Sequence, residues 1–360
     1  MKLFLIGGFL GSGKTTAIQQ ACLELMRKGV SVGVITNDQG DQLVDTKFIN
    51  QAGIPVGEVT NGCFCCNYPQ LEANIERLYK NFNTVVLFAE SVGSCADLVA
   101  TITRPMIQFH PEIPVVLSVF ADASLLWSLM NGDSCFLDES VRYIYKKQLE
   151  EADIIVINKS DLLTETELDK VIEIVQSEYP GKIYLFQNSL EEEDIRQWIG
   201  IMENFSPAQL RKALTIDYDV YGEGEACLAW LDKKITIYSG DRSAAALCGE
   251  LIDAIYKKVN VAQLPIGHLK FFLDDGDQQQ KISYTTVGEI ENLSIELSPD
   301  VREISMLINA RVQTDPAVLQ KIIEEAEKEI AKSGSVTVNK QAAFQPGYPR
   351  PTYRMADQEG

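Results

Sequence analysis

Histidine is nearly missing from this chain: two in 360 residues, His110 and His268. So little imidazole argues against a histidine-rich metal store, and a lone His is more often structural than a ligand, so neither is assigned to a site. Positive charge is also short, with 32 Lys plus Arg against 51 Asp plus Glu, a formal net charge of −19. That balance argues against non-specific nucleic-acid binding and against anionic membrane surfaces; it fits ligands that are small or cationic. No apolar run is long enough to span a bilayer. The apolar stretch after Lys2 ends in Gly13-Lys14-Thr15-Thr16 with no small-residue cleavage pattern, so it is not read as a secretion signal, and a cytoplasmic protein is expected. The eight Cys lack the layout of a disulfide framework: three fall within four residues, and Cys22, Cys95, Cys135, Cys227 and Cys248 are scattered. Reduced thiols are expected, with a metal or redox role for the cluster.

What is present is sharper. Gly8-Phe9-Leu10-Gly11-Ser12-Gly13-Lys14-Thr15 matches G-x-x-x-x-G-K-[ST], a phosphate-binding loop. The apolar run Leu3-Phe4-Leu5-Ile6 before it reads as a buried strand, and a helical pattern follows over about 14–28, stopping at Gly29. Gly8, Gly11 and Gly13 let the backbone turn its N–H groups inward onto phosphate oxygens, and the helix N-terminus adds a favourable dipole. Lys14 is expected to reach the β- and γ-phosphates, and the Thr15 hydroxyl to bind Mg²⁺.

Further strand patterns recur at 31–36, 56–60, 84–88, 114–120, 153–157 and 182–186, with helical patterns between most of them. Apolar strands alternating with helices predict an α/β fold, a parallel sheet covered on both faces. In such sheets ligands bind beyond the C-terminal strand ends, so the polar motifs that follow strands should collect at one edge. The domain expected over 1–204 gives way to a polar linker over 205–225 that carries Pro207, Gly222 and Gly224. Residues 226–340 read as a smaller α+β domain: strands near 227–238, 268–273, 281–287 and 303–312, helices near 247–259 and 316–332, and a short last strand at 336–338. A Pro-rich tail over 341–360 is unsuited to helix or central strand.

Four more stretches carry chemistry. Asn158-Lys159-Ser160-Asp161 is N-K-x-D at a strand end. A carboxylate at Asp161 can accept two hydrogen bonds from the N1–H and N2–H₂ edge of guanine, which adenine lacks, so it selects GTP. Asn158 would tie this loop to the phosphate loop, the Lys159 stem would lie on the base, and Ser189, after the next strand, could cap the base through its backbone N–H. Glu90-Ser91-Val92-Gly93 follows the strand expected beside the phosphate loop; Glu90 can hold the Mg²⁺ hydration shell or orient the attacking water, and Gly93 leaves room for a γ-phosphate contact. Asp38 and Asp45 lie on a segment that could sense the γ-phosphate, against the plainer reading of two solvated acids. Cys63-x-Cys65-Cys66 offers soft thiolates for Zn²⁺, Cu⁺ or Co²⁺, one ligand short of a tetrahedron; Asp38, water or a client could fill the gap. A disulfide switch remains open at this cluster.

Taken together, the phosphate loop with Thr16, Asn37-Asp38-Gln39-Gly40 through Asp45, Asn61-Gly62-Cys63-Phe64-Cys65-Cys66, Glu90-Ser91-Val92-Gly93 and Asn158-Lys159-Ser160-Asp161-Leu162 resemble the CobW-like P-loop GTPases, relatives of the nickel chaperones of urease and hydrogenase. The resemblance spans about the first 190 residues and implies GTP-dependent delivery of a metal, with GTP and Mg²⁺ as nucleotide and ion, a thiophilic cargo such as Zn²⁺ or Co²⁺, and a client metalloprotein or cofactor enzyme as partner. An activator of a corrinoid or other metal-cofactor enzyme and a thiol sensor are the alternatives, and a homodimer is compatible with either. Lys14, Glu90 and Asp45 are the expected hydrolytic residues; Thr15, Asp45 and Glu90 the expected magnesium set. The chain departs from the family pattern at Asp38, where Glu is usual, at Leu43, where Gly is usual, and at Leu98, where Pro usually follows Ala96-Asp97.

Overall fold

The computed structural model describes residues 1–38, 40, 44–132, 138–206, 211–285 and 293–357. Gln39, Leu43, Cys135 and Pro207, all named above, lie outside the described residues, as does the end of the strand expected at 281–287. The chain divides into two units, one of Met1–Gln39, Ala52–Gly224 and Tyr348–Gly360, the other of Gly40–Gln51 and Glu225–Gly347.

The first unit is built on seven strands: β1 (Lys2–Gly8), β2 (Val32–Asn37), β3 (Val56–Val59), β4 (Val86–Glu90), β5 (Val115–Asp122), β6 (Ile154–Asn158) and β7 (Ile183–Gln187). Their order is β3-β2-β4-β1-β5-β6-β7, and every pairing is parallel. Leu3, Phe4, Leu5 and Ile6 are fully buried on both sides of the pleat, as a strand covered by helices on both faces requires. The helices are α1 (Lys14–Arg27), α3 (Tyr68–Phe82), α4 (Arg104–Phe109), α5 (Ala123–Met130), α6 (Glu139–Glu151), α7 (Glu165–Glu178) and α8 (Glu192–Asn204). β1 lies between β4 and β5, so the chain runs to one side of β1 first and to the other side later. That reversal places the mouth of the sheet at the loops after β1, β4 and β6.

The second unit is an antiparallel sheet of order β10-β9-β11-β8-β12. Its strands are β8 (Ala229–Tyr238), β9 (Ile266–Asp274), β10 (Gln279–Tyr284), β11 (Glu303–Val312) and β12 (Ser335–Phe344). α10 (Ala244–Val261) and α11 (Pro316–Ile330) share one core with Ile235, Phe271 and Ile308 through Leu251, Ile255, Leu319 and Ile323. Alternation along β9 sends Phe272 to the opposite face. There it meets Leu307 and Val44 of α2 (Val44–Gln51), with Phe48 packed alongside, one helical turn from Val44.

Three features differ from the sequence reading. The segment after β2, expected to be rich in turns until near Asp45, ends in α2, because Val44 and Phe48 find an apolar face to cover. A helix, α9 (Tyr218–Ala226), occupies part of the expected linker. The short strand expected at 336–338 is the ten-residue edge strand β12, paired with β8 across a register shift between Val338 and Lys340; edge position lets it carry polar residues on both faces.

Candidate nucleotide and metal site

The phosphate loop joins β1 to α1. Gly8, Gly11 and Gly13 have φ of +122°, +77° and +90°, values that side chains disfavour. Space enforces the choice at two of them. A Cβ on Gly8 would lie 2.1 Å from the Phe120 carbonyl oxygen of β5, and one on Gly13 would lie 2.2 Å from Asn158 Nδ2. The Ser12 hydroxyl donates to the Phe9 carbonyl at 2.8 Å and closes the turn. Lys14 is buried and donates to the carbonyls of Gly8 (2.7 Å) and Phe9 (3.1 Å), which folds its ammonium back over the loop. Thr16 is half-buried in the first turn of α1.

The Thr15 hydroxyl donates to Glu90 Oε1 at 2.9 Å, and both side chains are buried. Parallel pairing of β1 with β4, with Ile6 opposite Glu90, brings them together. Two oxygen donors meeting in a buried corner beside a phosphate loop fit a hard divalent cation such as Mg²⁺. Gly93 completes the corner: a Cβ there would lie 2.9 Å from the Leu10 backbone nitrogen, so only glycine allows this approach to the loop.

β6 delivers the third component. Asn158 Nδ2 donates to the Ser12 carbonyl at 2.8 Å, while its Oδ1 accepts from the Ser189 N–H (3.0 Å) and hydroxyl (2.7 Å). One buried amide thus ties together the loops after β1, β6 and β7. Lys159 adopts a left-handed conformation (φ 60°), and its ammonium pairs with Asp122 at 2.7 Å. Asp161 follows in an exposed 3₁₀ turn, open to a ligand. Asp122 is a participant the sequence reading did not name. It also caps α5, accepting from the N–H groups of Ser124 and Leu125; an Asp between a strand pattern and a helix pattern was the available signal.

Asp45 belongs to the second unit, where its carboxylate pairs with Lys270 (2.6 Å) and Lys281 (3.1 Å). Burial alone would raise its pKa, but the Lys270 and then the Lys281 charge outweigh that and hold it well below the usual carboxylate range. Within that unit the Asp45 carboxylate is already neutralised by two ammonium groups.

The cysteine cluster sits where the loop after β3 enters α3. Asn61 and Gly62 turn the chain with φ of 60° and 147°. Asn37, at the end of β2, clamps the loop: its Nδ2 donates to the carbonyls of Val59 and Gly62, and its Oδ1 accepts the Phe64 N–H at 2.8 Å. The N–H groups of Cys66 and Asn67 return to the Cys63 carbonyl. This tight turn brings the Sγ atoms of Cys63 and Cys65 to 2.6 Å, Cys63 and Cys66 to 3.2 Å, and Cys65 and Cys66 to 3.8 Å. Hydrogen bonds from Cys65, Cys66 and Cys95 hold the Cys63 thiol well below its ordinary pKa, so it ionises first. The Cys65 thiol, tied to that thiolate, is pushed well up, and Cys66 is raised to about 11, chiefly by Cys63. Three converging sulfurs are a donor set for a soft transition metal. Asp38 is half-buried and is not among the groups that converge there.

The C-terminal tail closes over this cluster, which nothing in its sequence announced. The Arg350 N–H donates to Cys66 Sγ at 3.2 Å, the Thr352 N–H to the Cys65 carbonyl at 2.7 Å, and the Thr352 hydroxyl to the Cys66 carbonyl at 3.0 Å. Tyr353 packs edge-on against Tyr68 of α3, and Arg354 pairs with the buried Asp97 at 2.7 Å. Both ends of every contact lie in the first unit.

Fold and loop define a P-loop nucleotide-binding protein. The chain belongs to the CobW/HypB/UreG family: residues 2–186 match the model of that family's nucleotide-binding domain. It is 27% identical over 196 residues to the zinc chaperone CobW of a Sinorhizobium species, a match covering 48% of this chain and 54% of the relative. It is 29% identical over 163 residues to the zinc chaperone YeiR of Escherichia coli, covering 44% and 47%. The chain thus spans about half the length of the curated relatives it matches. Among solved structures it is similar to HypB from Helicobacter pylori in complex with nickel, with 14% identity, a TM-score of 0.43, and 58% of this chain and 91% of that one covered. Among the described residues, no helix is long and apolar enough to cross a membrane.

Proposed function

We propose that this protein is a GTP-hydrolysing metallochaperone that carries a thiophilic metal on its cysteine cluster and releases it to a client metalloprotein. The observation that carries the reading is the turn from Glu90 to Cys95. Its first residue holds the Thr15 hydroxyl of the phosphate loop, Gly93 lies against the loop backbone, and Cys95 reaches the thiols of Cys63 and Cys65. Only Ser91, Val92, Gly93 and Ser94 lie between Glu90 and Cys95, so in this reading a change at the nucleotide corner is carried to the sulfur cluster. Relatives named as zinc chaperones support the same reading, and make Zn²⁺ the first cargo to test.

In this account Gly8, Gly11, Ser12, Gly13, Lys14, Thr15 and Thr16 bind the phosphates, and Thr15 and Glu90 would hold Mg²⁺, which would offset phosphate charge. Glu90 orients the attacking water. Asn158 fixes the base loop, Lys159 lies along the base, Asp161 selects guanine, and Ser189 caps it. No Arg finger is evident in the motifs, so hydrolysis is slow until a client accelerates it. The test is GTP turnover and nucleotide choice. Wild type should prefer GTP over ATP, Asp161→Ala should lose the preference, and Glu90→Gln should bind GTP yet hydrolyse it at least ~100-fold more slowly. Turnover unaffected by Glu90→Gln would remove the hydrolytic assignment.

A further inference from the structure

The motif Cys63-x-Cys65-Cys66 supplies three sulfurs, and a tetrahedral thiophilic metal takes four ligands. Cys95, thirty residues further along the chain, hydrogen-bonds through its thiol to both Cys63 and Cys65. Its backbone is fixed from three sides. The Cys95 N–H donates to the Val92 carbonyl at 2.9 Å, and the Gln148 amide of α6 donates to the carbonyls of Gly93 (3.0 Å) and Cys95 (2.8 Å). The Tyr221 hydroxyl accepts the next N–H, that of Ala96, at 3.0 Å. Cys95 is 1% exposed. Burial of a single Cys is ordinary. Cys22 and Cys248 are as deeply buried, and burial is the one influence on their thiols. Cys95 differs in facing two other thiols from a backbone held rigid.

We propose that Cys95 is the fourth ligand of the metal site, closing Cys63, Cys65 and Cys66 into an all-sulfur set. The proposal rests on the reading of the cluster as a transition-metal site. A thiolate tetrahedron with metal–sulfur bonds of about 2.3 Å has edges of roughly 3.8 Å. The Cys65–Cys66 separation of 3.8 Å already matches; for the tetrahedron to form, Cys63 must move away from Cys65, and Cys95, which is outside the group of three sulfurs lying within 4.8 Å of one another, must close on them. Each thiol that binds gives its proton to solvent, so a dication in four thiolates leaves the centre with two negative charges. The Arg350 N–H pointing at Cys66 Sγ is placed to share that charge. Four sulfurs select Zn²⁺, Cd²⁺ or Cu⁺ over metals that want oxygen or an octahedron. The fourth ligand also rides on the turn of Glu90 and Gly93, which gives the nucleotide a direct hold on it.

The experiment uses the full chain, reduced and kept free of oxygen, in two arms. X-ray absorption of the zinc-loaded wild type counts ligands without any substitution, and the proposal expects four sulfurs at about 2.3 Å. Three sulfurs plus a lighter atom would overturn it. In the second arm Co²⁺ is titrated into wild type, Cys95→Ser, Cys65→Ser and Cys248→Ser, with circular dichroism confirming the fold. Thiolate-to-cobalt absorbance per bound ion should fall by about a quarter in Cys95→Ser, from four thiolates to three, while Cys248→Ser matches wild type. Equal spectra and affinities for wild type and Cys95→Ser, with Cys65→Ser impaired, would overturn the fourth ligand and leave the metal reading standing. No thiolate absorbance in wild type would overturn both.

Discussion

Several residues here have their identity dictated by an atom that stands against them. Gly13 is the plainest: its φ of +90° and the Asn158 amide 2.2 Å from any Cβ act together. Gly13→Ala should cost about 1–2 kcal/mol from the backbone alone, and should push Asn158 off the Ser12 carbonyl, so GTP affinity falls at least ~tenfold, the equivalent of about 1.4 kcal/mol. Isothermal titration with GDP and GTP checks it; unchanged affinity would show that the loop tolerates the side chain. Asp45 gives a pH signature. Its pKa is depressed in the folded protein by Lys270 and Lys281, so it contributes stability above its unfolded pKa of about 3.9 and loses it as pH falls through the lower folded value. Asp45→Asn should destabilise the second unit by about 2–3 kcal/mol near neutrality, because two ammonium groups lose their partner, and should flatten the acid limb of the stability profile. Denaturant melts from pH 7 to 3 measure both. At this scale the sequence was informative wherever a motif prescribes both residue and conformation, as in the loop glycines. It was uninformative about Asp45, whose partners lie more than 220 residues away.

Among the elements, the C-terminal tail is the clearest departure from what composition suggests. β12 takes the first residues of the expected tail, 341–344, into the sheet; beyond it Pro and Gly keep 345–357 out of helix and strand, and N–H groups there are donated to the Cys65 carbonyl and Cys66 Sγ. Removal of residues 348–360 should expose the cluster, and thiol-reactive dye should modify Cys66 roughly tenfold faster or more. It should also leave Asp97 without Arg354. Burial already raises the Asp97 pKa despite Tyr218 and Arg354, so the truncated protein should gain stability relative to wild type as pH falls. Dye kinetics that match wild type would mean that the strap opens freely. The seven parallel strands were legible because each is a short apolar run between helical patterns, and both faces of such a sheet are buried. α2 was not legible. In eight residues Val44, Phe48 and Ile49 are too few to announce a helix, and the surface that Val44 and Phe48 meet, Phe272 and Leu307, comes from strands far along the chain.

For the whole molecule, the proposed function makes one turn the link between two candidate sites. Parallel strands send the loops after β1, β4 and β6 to one edge, so the gathering of the phosphate loop, Glu90 and Asn158 could be read from strand order alone. The link to the cysteines could not, because it depends on Cys95, a single residue with no motif around it. If that turn transmits the nucleotide state, metal affinity must depend on which nucleotide is bound, and by linkage GTP affinity must depend on metal to the same degree. The direct measurement is Zn²⁺ affinity of the reduced protein by competition with a chromophoric chelator, without nucleotide, with Mg-GDP, and with Mg and a non-hydrolysable GTP analogue. The account expects at least ~tenfold tighter binding with the GTP analogue than with GDP, about 1.4 kcal/mol of coupling. Equal affinity in all three states would contradict it.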